Sequence, residues 1–167
     1  MKKHIFQYLL IIGLFHLASC DTAKSLFGSK SPTVIGTKSS KTELMRISES
    51  SVQTEEKMDF LFDQYVNLVQ TGLQNSNTAK GAEIIQKFQA QNKTAVDKIT
   101  NETNTWLDKM DKKTGRELGL RVVKKSYTRQ FLDNVPAFNQ KYKSYPAITE
   151  GVSKVMGIFT KIRSKAK

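Results

Sequence analysis

The residues of this chain that could support acid–base chemistry are four neighbouring carboxylates, Glu55, Glu56, Asp59 and Asp63. Two carboxyl groups about 5–10 Å apart can hydrolyse a glycosidic bond, with one acting as the acid. Helical spacing, however, places Glu56 and Asp63 opposite the apolar seam that contains Leu61, on the side where solvent is expected. The pattern therefore favours a charged helix surface, and a small cell-wall hydrolase stays open as an alternative.

Other catalytic and ligand sets are missing from most of the sequence. Both histidines, His4 and His16, and the single cysteine, Cys20, lie within the first twenty residues. The rest of the chain therefore has no Ser-His or Cys-His pair and none of the histidine or cysteine ligands that commonly bind zinc, copper or haem. The glycines do not have the spacing of a phosphate-binding loop. We predict that the protein is not an enzyme and uses no metal or cofactor.

The first twenty residues have the pattern of an export signal. Lys2 and Lys3 give a positively charged start, and residues 5–17 form an apolar run. As a helix this run would be roughly 20 Å long, which is shorter than a hydrocarbon core of about 30 Å. The sequence therefore predicts a segment that is removed after export rather than a membrane span.

The apolar run ends in Leu17-Ala18-Ser19-Cys20. This tetrapeptide resembles the lipobox of bacterial lipoproteins in every position. The resemblance implies that residues 1–19 are a cleaved signal peptide and that Cys20 carries a diacylglycerol and an N-linked acyl chain such as palmitate. It also implies a protein anchored to a bacterial cell membrane on its periplasmic or surface side. Whether that membrane is the inner or the outer one stays open.

The rest of the chain divides by composition. Residues 20–40 are rich in Ser, Lys, Gly and Thr, which is typical of a flexible tether. Residues 41–167 are enough for one hydrophobic core, and their apolar residues recur at helical spacing. We predict an all-α bundle of four or five helices, made of an acidic hairpin over residues 41–111 and basic, aromatic-rich helices over residues 114–167.

Capping signals give the expected starts of the first helices. Ser40 and Glu43 fit a capping box, which predicts one long helix that continues to about Gly72. Asn77 or Thr78 is the predicted cap of the second helix.

Thr114 is the predicted cap of the third helix. Pro136 is expected to end or kink that helix, with Asn134 capping a new start. The predicted apolar face of the third helix consists of Leu120, Val123, Tyr127 and Phe131. The predicted apolar stripe of the closing helix consists of Ile148, Val152, Val155, Phe159 and Ile162.

The two halves of the predicted domain differ strongly in charge. Residues 42–111 hold 7 Lys and Arg against 11 Asp and Glu, a net charge of −4, whereas residues 112–167 hold 14 against 3, a net charge of +11. Pairing between the halves can neutralise about four charges, which leaves an excess that should attract anions. The candidate residues for binding an anionic partner are Lys124, Lys125, Arg129, Lys161, Arg163, Lys165 and Lys167.

A line of aromatic residues runs through the same basic region. Its members Tyr127, Phe138, Tyr142 and Tyr145 form a candidate aromatic interface, because tyrosine and phenylalanine often anchor contacts with partners. Aromatic residues at this spacing also form cores, and that reading is the more common one.

Three features are considered together: the lipobox resemblance, the excess positive charge and the lack of catalytic residue sets. They predict a lipid-anchored envelope protein that binds or scaffolds a membrane-associated partner. Accessory proteins of secretion or transport and exclusion lipoproteins belong to this class. The partner is expected to be a protein, an anionic lipid or a polysaccharide, and no nucleic acid is expected outside the cytoplasm. A surface adhesin that binds host polyanions is the alternative from another class, and protease treatment of whole cells separates the two.

Replacing Cys20 by Ala tests the predicted anchor. The thiol is the only site for the diacylglycerol, so we expect the variant to lose palmitate incorporation and the acyl mass of the mature protein. Ser25→Ala, in the predicted tether, is the control and should keep both. A Cys20→Ala protein that keeps the wild-type mature mass would show that the anchor is wrong.

Overall fold

The computed structural model describes residues 42–166, and all regular structure in that range is helical. Its six helices are α1 (Glu43–Glu49), α2 (Thr54–Gln74), α3 (Thr78–Asp108), α4 (Lys112–Lys124), α5 (Ser126–Lys141) and α6 (Pro146–Lys165). This confirms the predicted all-α class, although the helices number six instead of four or five. The predicted signal peptide, Cys20, the whole predicted tether and Lys167 lie outside the described residues.

The long first helix of the prediction is two helices. Thr42, not Ser40, caps α1, and its hydroxyl accepts a hydrogen bond from the Met45 amide at 3.2 Å. The helix ends at Ser50, whose backbone is extended and whose hydroxyl donates to the Ile47 carbonyl at 2.8 Å. Serine side chains that bond to nearby backbone compete with a helix in this way. The chain resumes as α2 at Thr54.

The start of α3 agrees with the prediction, whereas that of α4 does not. The Asn77 side chain accepts from the Lys80 amide at 3.0 Å and caps α3. Asp111 caps α4, because its carboxylate accepts from the Thr114 amide at 2.8 Å and from the Thr114 hydroxyl at 2.9 Å. Thr114 is therefore inside the first turn of α4, and its predicted role as the cap was wrong.

The break after α4 comes at Lys125, and Pro136 lies inside α5. The predicted new start at Asn134 was therefore wrong. Pro136 itself is exposed, while Val135 and Phe138 beside it are buried. Burial of this apolar side outweighs the one helix hydrogen bond that a proline removes.

The four long helices form the bundle. Helix α2 packs against α3 and α5, α3 packs against α6, and α6 also touches α2 and α5. Phe159 of α6 stacks on Phe62 of α2, with ring centroids 4.0 Å apart, and lies 5.6 Å from the ring of Phe131 of α5. Helix α1 covers α3, and α4 lies outside the four-helix core against α6 and α5.

Lys141 fastens the end of α5 to the end of α2. Its ammonium group donates to the carbonyls of Gly72 and Leu73, both at 2.9 Å, and of Asn75 at 2.6 Å. The last carbonyls of a helix lack partners within the helix and carry partial negative charge. Lys141 therefore satisfies the end of α2, and its ammonium group is engaged within the fold.

Two glycines allow α4 to lie directly on the last turn of α6. A Cβ atom at Gly115 would be 2.9 Å from the Cβ of Lys165, and one at Gly119 would be 2.8 Å from the Cβ of Ala166. Both distances are shorter than side chains tolerate, so this approach requires glycine. The buried side of α4 consists of Gly115, Leu118, Gly119 and Val122.

This packing reverses the expectation for Leu120 and Val123. Both were predicted to share an apolar face with Tyr127 and Phe131, yet they are 60% and 72% exposed while the two aromatic residues are buried. The prediction assumed one helix, whereas the chain turns at Lys125 and starts α5 in a new direction. Helical spacing no longer relates the two segments after such a turn.

Replacing Gly115 and Gly119 together by Val tests the contact between α4 and α6. We expect the added side chains to push the helices apart, which lowers the free energy of unfolding by about 1–3 kcal/mol and speeds amide hydrogen exchange in α4. Gly157→Val is the matched control, since nothing lies within 4 Å of a Cβ at Gly157 of α6. Equal protection of α4 in the double variant and the wild type would contradict the contact.

Candidate anionic-partner surface

Four ion pairs join the acidic hairpin to the basic helices. Each joins a carboxylate of α2 or α3 to a base that follows residue 111, at distances between 2.6 and 2.8 Å. The pairs are Glu55–Arg121, Asp59–Lys125, Asp97–Lys154 and Asp108–Lys161. They provide the neutralisation between the halves that the charge distribution predicted.

The pairs shift the pKa values of their members in the direction of the charged forms. Hydrogen bonds from Lys154 and Lys93 hold the pKa of the Asp97 carboxyl below its usual value. The hydrogen bond with Asp59 raises the pKa of Lys125 in the same way. Lys125 is therefore committed to an internal partner.

Lys161 is committed too. Its ammonium group donates to the Asp108 carboxylate at 2.8 Å and to the Asn104 carbonyl at 3.2 Å. Lys125 and Lys161 were both predicted to bind an external anion, and the structure gives both of them internal partners instead. Sequence spacing could not show this, because the partners are more than 50 positions away along the chain.

The carboxylates first considered for catalysis have structural partners. Glu55 holds Arg121 through two hydrogen bonds of 3.2 and 2.8 Å. Asp59 accepts from Lys125 at 2.8 Å and from the Tyr127 hydroxyl at 2.5 Å. Desolvation and the nearby Asp59 raise the pKa of Asp63. The raised pKa would suit a general acid, but the ion pairs of Glu55 and Asp59 tie both groups to the packing of α2 against α4 and α5.

The aromatic line is part of the core. Tyr127 is 4% exposed, and Phe138 and Tyr142 are fully buried. The Tyr142 hydroxyl donates to the Gly72 carbonyl at 2.8 Å, and Tyr145 is half-buried against the same cluster. The candidate aromatic interface was therefore wrong for Tyr127, Phe138 and Tyr142, and core packing explains their spacing.

Several bases have no ion-pair partner within the described residues. Lys124, Arg129 and Arg163 from the predicted set are exposed and belong to this group, and Lys165 lies half-buried beside Gly115. Lys167, the last predicted member, lies outside the described residues. The predicted set also left out exposed bases that have no ion-pair partner among the described residues, including Lys112, Lys113 and Arg116 of α4 and Lys80, Lys87 and Lys98 of α3.

The outward side of α4 combines these bases with apolar residues. Lys113, Arg116, Leu120, Val123 and Lys124 are all exposed, and their spacing of three, four and seven residues places them on one face. We call these five residues the α4 surface. Glu117, the single acidic residue of α4, is also exposed on this face, four residues after Lys113 and three before Leu120, so the face carries three bases and one acid. A helical wheel drawn for residues 112–124 alone would have revealed this face.

A shallow groove lies elsewhere, along α3. It is lined by Thr54, Asn101, Glu102, Thr105, Trp106 and Lys109. The buried Lys57 donates to the Glu102 carboxylate at 3.1 Å, so the acidic group of the groove has an internal partner. Lys109 is then the one charged side chain of this lining without an ion-pair partner among the described residues, and a single exposed base does not define a ligand.

Residues 42–166 contain no cluster of three or more His, Cys, Asp or Glu side chains that could hold a metal ion. Among the described helices, none is both long and apolar enough to cross a membrane. In comparisons with known proteins, no family model, curated protein or solved structure matches the chain.

Proposed function

We propose that this chain is a lipid-anchored protein of the bacterial envelope, without enzymatic activity, that binds an anionic membrane-associated partner through the α4 surface. The lipobox resemblance of Cys20 supports the anchor. The observation that carries the binding role is the density of unpaired bases: Lys113, Arg116 and Lys124 share one face of a 13-residue helix, whereas the exposed unpaired bases of α3 are spread along 31 residues.

The fold makes this face a prepared binding surface. Helix α4 is held by its buried side against α6 and by Arg121 against Glu55. Its outward side is therefore ordered before a partner arrives, and binding does not require the ordering of a flexible segment. A scaffold or accessory role follows from the same features, because the surface offers positive charge and contact area without catalytic groups.

Neutralising the α4 surface tests the binding role. Each base near an anionic surface contributes about 1 kcal/mol, so Lys113→Gln/Arg116→Gln/Lys124→Gln should weaken binding of the full chain to heparin about 100-fold at low salt. Heparin serves as a soluble anionic probe, and wild-type binding should weaken steeply as salt rises. Isothermal titration calorimetry at two salt concentrations measures both effects.

The control removes the same amount of charge from another side. Lys80, Lys87 and Lys98 are exposed on α3 and have no ion-pair partner among the described residues. Lys80→Gln/Lys87→Gln/Lys98→Gln should reduce heparin affinity only slightly. Salt screens the interaction between exposed charges that are more than about 10 Å apart, so bases far from the bound heparin contribute little. Equal losses in the two triple variants would contradict a localised surface, and no measurable binding by the wild type would contradict the proposal itself.

A further inference from the structure

The α4 surface contains an apolar feature that anion binding does not explain. Leu120 and Val123, with Leu132 of α5, are the large apolar side chains that are exposed within the described residues. Helix α4 already buries Leu118 and Val122 on its other side. It therefore has two apolar sides, one facing the bundle and one facing outward.

Bases surround the outward apolar side chains. Leu120 lies one turn from both Arg116 and Lys124, and Val123 lies two turns from Arg116 on the same face. Long basic side chains can extend their charged ends away from an apolar stem. This arrangement, with Leu120 between bases and Val123 at the edge of the same face, resembles that of helices that lie in the interface of an anionic membrane.

The position of α4 also favours a flat partner. As a peripheral helix of 13 residues outside the four-helix core, it presents a convex ridge roughly 20 Å long. A hydrophilic polysaccharide would engage the bases but would leave Leu120 and Val123 in water. A bilayer offers phosphates to the bases and an apolar layer to Leu120 and Val123 at the same time.

We propose that the α4 surface lies on an anionic lipid bilayer, with Leu120 and Val123 at the level of the upper acyl chains and Lys113, Arg116 and Lys124 on lipid phosphates. This inference rests on the proposed function, since it names the anionic partner of the same surface. Arg163, exposed in the last turn of α6 that packs on α4, adds positive charge beside it. The contact would fix the orientation of the helical domain on the membrane.

Fluorescence quenching by brominated lipid tests this contact at a defined residue. Trp106 is the single tryptophan, so Leu120→Trp in a Trp106→Phe background places one indole on the α4 surface of the full chain. The protein is reconstituted into vesicles whose acyl chains carry bromine near the headgroup, made of phosphatidylglycerol or of phosphatidylcholine. We expect about a twofold loss of emission with phosphatidylglycerol, because an interfacial helix inserts its apolar side by about 5–10 Å, and little loss with phosphatidylcholine.

The matched control places the indole on α3. Gln91 is exposed between the exposed bases Lys87 and Lys98, so Gln91→Trp in the same background also has a tryptophan near positive charge. Its emission should not change between the two lipids. Adding Lys113→Gln/Arg116→Gln/Lys124→Gln to the Leu120→Trp protein should restore its emission.

The possible results separate this inference from the proposed function. Equal quenching at positions 91 and 120, or equal quenching of Leu120→Trp by the two lipids, would overturn the bilayer contact. An unquenched Leu120→Trp protein, combined with the expected heparin difference between the two triple variants, would refute the bilayer and leave an anionic partner of another kind. Failure of both experiments would refute the surface altogether.

Discussion

The close approach of α4 to the end of α6 determines which side of α4 faces outward. Gly115 and Gly119 meet Lys165 and Ala166 where a larger side chain has no room. Because a helix turns about 100° per residue, Leu120 lies about 100° from Gly119 and about 140° from Gly115, turned away from α6. The packing of the two glycines therefore sets the orientation of α4. The α4 surface depends on this contact with α6, although neither glycine belongs to the surface.

The ion pairs between the acidic hairpin and the basic helices also affect the α4 surface. The acidic hairpin has a small excess of negative charge, and its pairs hold Arg121, Lys125, Lys154 and Lys161 in place. Exposed pairs of this kind contribute little stability individually. Their effect here is on location, because they occupy these four bases and leave Lys113, Arg116 and Lys124 of α4 without an ion-pair partner.

The sequence predicted the features that depend on local periodicity. The all-α class, the Asn77 cap and the buried stripe of α6 from Ile148 to Ile162 agree with the structure. The charge of the two halves predicted that they would pair, but not which individual bases would do so. Spacing alone could not show that Lys125 and Lys161 meet Asp59 and Asp108.

The positions of the helix breaks were also poorly predicted from the sequence. A strong sequence signal, Pro136, lies inside a helix because its neighbours are buried, whereas weak signals at Ser50 and Lys125 mark real ends. The turn at Lys125 explains why the predicted apolar face was wrong. It separates Leu120 and Val123, which are exposed, from Tyr127 and Phe131, which are buried. Within α4 alone, the periodicity of residues 112–124 contains the information needed to find the surface.

The most direct test of the central claim is photo-crosslinking in living cells from the α4 surface. A benzophenone amino acid replaces Leu120 in one protein and Gln91, on the exposed side of α3, in the other. We expect crosslinked products at position 120, with the added mass of a phospholipid if the bilayer is the partner, and far fewer at position 91. Products of equal yield at both positions, or products at position 91 alone, would contradict the assignment of binding to α4.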